Sequence, residues 1–387
     1  MEARRKIRLG DACKTNSNSY SPKEEWDFVN YLDTGNITNN RIDSIQFIDV
    51  RSGKLPSRAR RKVKKDSIIY SMVRPNQRHF GIIKSQPEHF LVSTGFTVID
   101  VDANVLDADF LYYLLTQAAL VEALHAIAEQ STSAYPSIKP SDIEDLEIEI
   151  PDLATQKKIA DVLGSMDRRI TQNTGINNNL ADLLQTIYQE RFGNDILAVN
   201  QGVLSDICSY SRDKVAVSEL NVSTYFSTEN MLPGKAGSTE ATSLPTTSQT
   251  TACHKGDTLI SNIRPYFKKI VYCEDKCGCS TDVLCFTPSQ LRYSAYLFST
   301  LYADKFFAFM VAGSKGTKMP RGDKQQIMTY PVVLPSEEEL AGYNTIASPL
   351  LKQIYSNRAE NKRLSILRDS LLPKLMSGEL NVSAVQL

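Results

Sequence analysis

The amino-acid sequence contains one pattern twice. Residues of the first half recur at an offset of 184 positions (296 minus 112 for the first pair), as the pairs Tyr112/Tyr296, Pro136/Pro320, Ile143/Ile327 and Pro151/Pro335. Further upstream, residues 71–75 match residues 261–265 at an offset of 190 (261 minus 71). Tandem repeats have periods of about 20–50 residues, far shorter than half of this chain. The sequence therefore predicts a duplicated domain, and two similar modules suit a partner that is itself nearly twofold.

Length, apolar content and cysteine count describe an ordinary globular protein. A chain of 387 residues is long enough for about two to three domains. The sequence contains no run of about 18 apolar residues, which predicts that nothing spans a membrane. Residues 1–11 lack the apolar core of a signal peptide, and the seven cysteines form an odd set that argues against a disulfide framework. We therefore expect a cytoplasmic protein.

Charge is balanced in total but unevenly distributed. The sequence has 44 basic and 44 acidic residues, yet residues 54–65 carry only basic charge and residues 142–152 are strongly acidic. A polyanion responds to the local distribution of charge and not to the sum. The neutral total therefore does not exclude binding to nucleic acid.

The hydrophobic pattern predicts mixed α/β modules. Short runs rich in β-branched residues predict strands at residues 67–71, 96–101 and 146–150. Apolar residues three and four positions apart predict one helix from about Phe110 to Ala128, with Ala118 on its apolar face. In the second module, residues 234–251 are rich in Ser and Thr and predict a mobile loop.

Two stretches carry a heptad pattern, in which apolar or Asn residues recur alternately four and three positions apart. The first contains Ile159, Leu163, Met166, Ile170, Asn173, Asn177 and Leu180, and the second contains Leu350, Ile354, Asn357, Asn361 and Leu364. We expect an antiparallel pair of long helices whose Asn layers meet, because buried Asn fixes register. Leu367 and Leu371 continue the second seam with a slip. The alternative is that the asparagines lie beside an irregularity at Gly175 and face solvent.

The predicted helices are long enough to act as a spacer. About 35 helical residues rise roughly 50 Å, and one turn of duplex DNA is about 34–36 Å long. Two modules held that far apart would each meet a groove on the same face of DNA.

The sequence lacks the motifs of the enzymes that modify DNA. It has no Pro-Pro pair for the loop with which amino-methyltransferases hold a flipped base, and no P-loop. Its four histidines are scattered, and the acidic residues 142–149 fit a solvated strand edge better than a metal site. Four cysteines lie close together in sequence, namely Cys273, Cys277, Cys279 and Cys285. We interpret them as reduced residues on strands and keep a zinc site as the alternative.

Candidate DNA contacts come from the duplicated blocks. In the first module the basic run supplies cations for phosphates, while the residues after it combine donors that suit base edges. These candidates are Arg58, Arg60, Arg61, Lys62, Lys65, Arg74, Asn76, Gln77, Arg78, Tyr135 and Lys139. The second module offers a matching but non-identical set, as two modules that read different sequences should: Arg264, Tyr266, Lys268, Lys269, Lys315, Lys318 and Arg321.

Several segments together resemble a known family. They are Leu9-Gly10-Asp11, the run YLDTGNI at 31–37, the run YPSIKPSDI at 135–143, the segment IEIP at 148–151 followed by QKKI at 156–159, and the ending LLPKLMSGEL at 371–380. With the duplication and both heptad segments, the chain resembles the specificity subunit of type I restriction–modification enzymes over nearly its whole length.

The resemblance implies an α/β protein of four parts. Residues 1–150 and 194–335 would be target-recognition domains, and residues 151–193 and 336–380 would be the antiparallel spacer helices. It implies no catalytic residues, no bound metal and no cofactor of its own, and a bipartite target in double-stranded DNA. Two DNA-methyltransferase subunits and the restriction and translocase subunits would be its partners, and S-adenosylmethionine and ATP would bind to them. Two other classes stay open: a two-domain protein-binding scaffold without DNA specificity, and a nuclease or methyltransferase fragment.

Overall fold

The computed structural model describes residues 4–131, 135–193 and 200–382. The chain divides into two compact units. Unit 1 is made of Met1–Arg168 and Leu364–Leu387, and unit 2 is Arg169–Arg363. Each unit is mixed α/β, as the sequence predicted, and each contains part of both long helices. The spacer role of those helices stays a prediction from the sequence.

Unit 1 consists of short strands followed by helices. Its strands are β1 (Arg5–Arg8), β2 (Cys13–Thr15), β3 (Phe28–Leu32), β4 (Ile37–Thr38), β5 (Arg41–Ile42), β6 (Gln46–Asp49), β7 (Ala59–Lys62), β8 (Ile68–Ser71), β9 (Phe80–Ile82), β10 (Phe90–Ser93), β11 (Phe96–Val101) and β12 (Glu147–Ile150). Its helices are α1 (Ala108–Leu115), α2 (Ala118–Glu129), α3 (Pro140–Glu144) and the first part of α4 (Leu153–Tyr188).

Unit 2 repeats this order. Its strands are β13 (Gln201–Val203), β14 (Cys208–Tyr210), β15 (Lys214–Ala216), β16 (Tyr225–Phe226), β17 (Gln249–Cys253), β18 (Thr258–Ser261), β19 (Ile270–Tyr272), β20 (Cys277–Cys279), β21 (Val283–Pro288) and β22 (Pro331–Val333). Its helices are α5 (Leu204–Ile207), α6 (Ser294–Tyr302), α7 (Asp304–Ala312), α8 (Lys324–Ile327) and α9 (Glu337–Ser377), whose last part belongs to unit 1.

The sheets of the two units have the same topology. In unit 1 the orders are β6-β3-β10-β7 and β2-β11-β8-β9, with β1 paired to β12. In unit 2 they are β16-β20-β17-β15 and β14-β21-β18-β19, with β13 paired to β22. The central pairs also agree, because β3 and β10 run parallel, as do β16 and β20. The duplication of the sequence is therefore a duplication of the fold, with one different edge strand in each unit.

The sheet that contains β8 is buried on both faces. Side chains of a strand alternate between the two faces of its sheet, so Ile68 packs with the helices of unit 1 while Ile69 packs against the other sheet. Ile260 and Leu259 divide in the same way in unit 2. This burial of both faces explains why two adjacent apolar residues stand in the middle of each strand, Ile68-Ile69 in β8 and Leu259-Ile260 in β18.

The single helix expected at residues 110–128 is wrong. The chain forms α1 and α2, which meet at a bend of 65°. The bend is stabilised at Gln117, whose backbone N–H and side-chain Nε2 both donate to the carbonyl of Leu114. Ala118, expected on the apolar face, is exposed. Among the described residues no single helix has the length and apolar character of a membrane span, and α1 with α2 is the one bent pair that meets both criteria together.

The antiparallel pairing of α4 and α9 is confirmed within each unit. In unit 2, Asn173 Nδ2 donates to Asn361 Oδ1 at 2.9 Å and Asn357 Nδ2 donates to Asn177 Oδ1 at 2.9 Å. The asparagines therefore meet in the interior and do not face solvent. Of the other predicted seam residues, those fully buried are Ile159, Leu163, Met166 and Ile354, and those partly buried are Ile170, Leu180, Leu350 and Leu364. Leu367 was placed in the seam wrongly, since it is 45% exposed.

The helix ends of the two units differ in chemistry. In unit 1, Asp167 accepts hydrogen bonds from Arg368 Nη1 at 2.5 Å and from the Tyr113 hydroxyl at 2.6 Å. Burial, and then the neighbouring carboxylate, raise the pKa of Tyr113, so its hydroxyl stays protonated and donates. The positions that correspond at an offset of 184 in unit 2 hold three buried leucines, Leu297, Leu351 and Leu184. A polar triad in one unit therefore replaces an apolar contact in the other.

The polar insert of unit 2 is anchored over part of its length. The backbone N–H of Thr239 donates to Asn230 and that of Ala241 donates to Val222. Glu240 forms an ion pair of 2.9 Å with Lys362 on α9. The loop predicted at residues 234–251 is therefore irregular but attached to the helix, and its last residues enter β17.

Candidate nucleic-acid interface

Each unit presents one strained turn directly after a buried strand. In unit 1, β8 leads to Arg74, which has left-handed backbone angles (φ 48°) before the single turn Pro75–Gln77. Arg78 ends that turn, again in the left-handed region with φ 57°. Residues other than glycine rarely adopt this backbone conformation, which costs of the order of 1–3 kcal/mol at each residue. The turn therefore contains two residues with strained backbone angles within five positions.

Unit 2 forms the same turn with other side chains. Arg264 has φ 49°, the single turn is Pro265–Phe267, and Lys268 has φ 51°. The φ and ψ angles of Arg74 and Arg264, and those of Arg78 and Lys268, agree within about 13°, although only the Arg-Pro pair is common to both sequences. The conformation is therefore a property of the duplicated fold, while the side chains at its tip are not.

A second loop holds each turn in place. The N–H of Arg74 donates to the carbonyl of Pro136 at 2.9 Å, and the N–H of Arg264 donates to that of Pro320 at 2.8 Å. All four residues recur in the sequence, but the contact between them is not predicted by its pattern. This contact places residues 135–139 beside one turn and residues 315–321 beside the other.

In unit 1 the interface is polar. Asn76 and Gln77 are exposed at the tip of the turn, and Lys139 is exposed on the neighbouring loop. The guanidinium of Arg74 lies 5.4 Å from the ring centre of Tyr135, a cation–π distance that orients both groups. The interface therefore combines amide and guanidinium donors with one exposed aromatic ring.

In unit 2 the corresponding surface is apolar. Tyr266 is 50% exposed, Phe267 is 40% exposed and Met319 is 51% exposed. At offsets of 190 and 184 these residues correspond to Asn76, Gln77 and Tyr135. Tyr266 was among the candidates predicted from the sequence, whereas Phe267 and Met319 were not, because neither is basic or forms hydrogen bonds through its side chain. The alignment of the two copies would have found both.

The cations of unit 2 are largely paired with acidic residues. Lys268 forms an ion pair with Asp304 at 2.9 Å, Lys315 with Asp323 at 2.5 Å and Arg321 with Asp282 at 2.9 Å. Lys269 instead donates to the carbonyl of Thr228 at 2.6 Å. Lys318 is exposed and has no ion pair among the described residues. Exposed ion pairs contribute only about 0–1 kcal/mol, so these side chains can exchange an acidic partner for a phosphate.

The basic run of unit 1 is not one surface. Ala59–Lys62 forms β7 and pairs with β10, so alternate side chains point to opposite faces. Lys62 is held by Glu24 and lies 5.0 Å from the centre of the Trp26 ring. Arg61 is partly buried, and burial lowers the pKa of its guanidinium. Arg58, Lys64 and Lys65 are exposed, and Arg60 is partly so. Contact of Arg61 and Lys62 with DNA stays a prediction, although both side chains are partly buried.

Five cysteines of unit 2 lie together in one core. They are Cys253, Cys273, Cys277, Cys279 and Cys285. At offsets of 190 and 187 the same core positions of unit 1 hold Val63, Ile83, Phe90, Val92 and Val98. Over the part of the chain that the structure describes, no group of three or more potential ligands is arranged to hold a metal ion. The cysteines therefore act here as small apolar residues between two sheets.

The acidic strand has basic partners that the sequence did not predict. β12 pairs with β1, where Lys6 contacts Glu147 and Arg8 contacts Asp145 at 2.6 Å. Ile148 and Ile150 point inward and are buried. This arrangement agrees with the expected solvated edge and accounts for the acidic charge without a metal.

The fold and these surfaces define a class: a duplicated α/β protein in which two units present equivalent turns with different tips. A family model described as the type I restriction modification DNA specificity domain matches residues 2–182. The HindI specificity subunit of Haemophilus influenzae is 31% identical over 189 residues, which cover 49% of this chain and 41% of that protein. The MjaIX specificity subunit of Methanocaldococcus jannaschii is 22% identical over 93% of this chain and 94% of that protein.

One solved structure has the same fold. The type I restriction–modification system S subunit from M. genitalium matches 97% of this chain and 96% of its own, with a TM-score of 0.59 and 18% identity. The match to the first relative spans less than half of that relative's length, whereas the second match is nearly complete. Residues 2–182 are therefore similar to the DNA specificity domain of type I restriction modification systems, and the fold of the chain is similar to that of a solved S subunit.

Proposed function

We propose that this chain is the DNA-recognition subunit of a type I restriction–modification assembly. Each unit would read one half of a bipartite target in double-stranded DNA. One observation carries the proposal: the same left-handed, proline-locked turn is formed twice, with different side chains at its tip. A conserved backbone with variable tips is what two readers of different half-sites require. The alternative of a protein-binding scaffold without DNA specificity has no comparable observation in its favour.

Backbone strain supports a functional role for the turns. Four residues, Arg74, Arg78, Arg264 and Lys268, adopt left-handed angles although none is glycine. Such strain persists where the surrounding structure fixes it, and it concentrates at binding and catalytic sites. Here the fixing contacts are the hydrogen bonds from Arg74 and Arg264 to the neighbouring proline loops. A rigid turn also limits the entropy lost on binding.

The proposed mechanism divides affinity from specificity. Exposed cations such as Arg58, Lys64 and Lys65 of unit 1 would contact phosphates, which are the same at every base pair. Asn76 and Gln77 would approach base edges, where an amide forms two hydrogen bonds to adenine. Lys139 and Lys318 would extend the phosphate contacts from the second loop of each unit.

The proposal assigns no catalytic step to this chain. Two DNA-methyltransferase subunits would supply base methylation, and restriction and translocase subunits would supply cleavage. S-adenosylmethionine and ATP would then bind to those partners. The assembly would act in the cytoplasm, where its DNA target lies.

The proposal is tested by mapping methylated bases in cells that hold the partner subunits with and without this chain. We expect one bipartite motif with a fixed gap, present only with the chain. Variant Asn76→Ala/Gln77→Ala should change one half of that motif. Arg51→Ala, which removes an exposed arginine outside both loops, is the matched control and should leave the motif intact. A methylation pattern that does not depend on the chain would contradict the proposal.

A further inference from the structure

We infer that unit 2 reads its half-site by apolar contact, pressing Tyr266, Phe267 and Met319 into a deformable base step of duplex DNA and partly unstacking it. The inference rests on the proposed function and names the chemistry of recognition. Unit 1 would use hydrogen bonds at the same three positions. The two halves of one target would then be read by different physical means.

The first observation is the exchange of side chains between equivalent positions. The polar tip of unit 1 has Asn76 and Gln77, and the same places in unit 2 have Tyr266 and Phe267. Neither ring can form the pair of hydrogen bonds by which an amide identifies adenine. The backbone is unchanged, so the rings are presented where the amides would be. A different mode of reading follows from the substitution alone.

The second observation is that large apolar side chains are exposed together. The Tyr266 and Phe267 ring centres lie 4.8 Å apart at an interplanar angle of 55°. Met319 precedes Pro320, whose carbonyl accepts a hydrogen bond from Arg264 at the start of the turn. Each of the three side chains is 40% or more exposed. An exposed apolar cluster held by a strained backbone marks an interaction surface.

The charge around this cluster indicates the chemical class of its partner. Lys269 lies 6.0 Å from the centre of the Phe267 ring, and Lys315, Lys318 and Arg321 belong to the loop that carries Met319. A protein partner would not require a cationic border, whereas a phosphate backbone does. We therefore assign the surface to nucleic acid.

The shape of the side chains selects the kind of base step. Phe and Met are among the residues that enter between base pairs and partly unstack them. Pyrimidine–purine steps such as TA and CA unstack most easily. The half-site of unit 2 should therefore contain such a step, opposite Phe267.

Selection of binding sequences from random duplexes, with the purified full chain, tests the inference. The wild type should select two half-sites, one of which contains a TA or CA step. The variant Tyr266→Asn/Phe267→Gln, which copies the tip of unit 1, should lose enrichment of that half-site by at least about 5-fold. Tyr266→Phe keeps both rings and should retain it. Asn76→Ala/Gln77→Ala should affect the other half-site only.

A second readout reports unstacking directly. The fluorescence of 2-aminopurine, placed at the selected step, is quenched by stacking. It should rise several-fold when the wild-type chain binds and should stay low with Tyr266→Asn/Phe267→Gln at saturating protein. Because the changed side chains are exposed, the variants should unfold at the temperature of the wild type.

The outcomes separate the inference from the proposed function. Selection of no sequence by the wild type would overturn both. Selection of two half-sites that Tyr266→Asn/Phe267→Gln leaves unchanged would keep the proposed function and overturn the inference. A step that is selected but shows no rise in 2-aminopurine fluorescence would also overturn it, because contact without unstacking would then be the mode of reading.

Discussion

The side chains of Asn177 and Asn357 meet in the interior of unit 2, where Asn357 Nδ2 donates to Asn177 Oδ1 at 2.9 Å. The Oδ1 of Asn357 in turn accepts from Gln353 Nε2 at 2.7 Å. One helical turn away, Arg169 forms an ion pair with Glu360, which also accepts from Asn173. The polar residues therefore form two neighbouring clusters between the helices, and a shift of either helix by one residue would break both.

The first prediction concerns this pair. Asn357→Leu removes the donor of the buried Asn177 Oδ1, so we expect the free energy of unfolding to fall by about 1–3 kcal/mol. The double variant Asn177→Leu/Asn357→Leu should recover most of the loss, because two apolar groups replace two polar ones. Urea unfolding and amide hydrogen exchange in α4 measure both. A double variant as unstable as the single one would show that the lost hydrogen bond is not the cause.

The second prediction concerns the polar triad of unit 1. Asp167→Leu leaves the Tyr113 hydroxyl without its acceptor and leaves Arg368 with Asp369 alone, and we expect a loss of about 1–3 kcal/mol. The triple variant Tyr113→Leu/Asp167→Leu/Arg368→Leu copies unit 2 and should be close to the wild type in stability. Thermal unfolding of both variants checks the result. If the triple variant is the less stable of the two, the leucine packing of unit 2 does not transfer.

The third prediction concerns the strained turn. Arg74→Gly removes the steric penalty of the left-handed conformation, so stability should rise by up to about 1 kcal/mol. DNA affinity should fall, because the guanidinium over Tyr135 is lost. Arg74→Lys retains the charge and the strain and is the control. A variant with glycine that binds DNA as tightly as the wild type would remove Arg74 from the interface.

The fourth prediction concerns the basic run. Replacing the exposed Arg58, Lys64 and Lys65 by Ser should weaken binding to all sequences alike and flatten the salt slope by up to about 0.9 per lost phosphate contact. Replacing Lys62 alone should leave the slope unchanged, because its ammonium group is partly buried between Glu24 and the Trp26 ring. Titration at several salt concentrations, on specific and scrambled duplexes, decides between them. Equal slopes for both variants would contradict this division.

Periodicity predicted what depends on local sequence. The spacing of Ile159, Leu163 and Met166 identified the buried face of α4, and β11 was predicted at its observed bounds. The seam failed at Leu367, where the helix presents Arg368 to the interior instead. The break between α1 and α2 was missed because the apolar spacing continues across Thr116 and Gln117, and no proline marks the end of the first helix.

The candidate site was predicted less completely. The strand at residues 59–62 was not predicted. Three of its four residues are cations, so the run does not show the alternation of apolar and polar residues that is typical of a strand with one buried face. The contact of Arg74 with Pro136 joins distant segments, and no local pattern encodes it. Phe267 and Met319 were missed because the type of an apolar residue does not reveal whether its side chain is exposed or buried. Only comparison of the two copies distinguishes them.

The cysteines of unit 2 can report when this unit opens. All seven are buried and free, and six belong to unit 2, with Cys13 the exception in unit 1. Burial raises the pKa of Cys208 to about 12 and that of Cys13 to about 11, which keeps both thiols protonated and slow to react. Because the six cysteines of unit 2 are buried, a thiol reagent reaches them mainly when unit 2 opens. The number of labels on each chain, measured by mass spectrometry, reports the opening of unit 2 and needs no added probe.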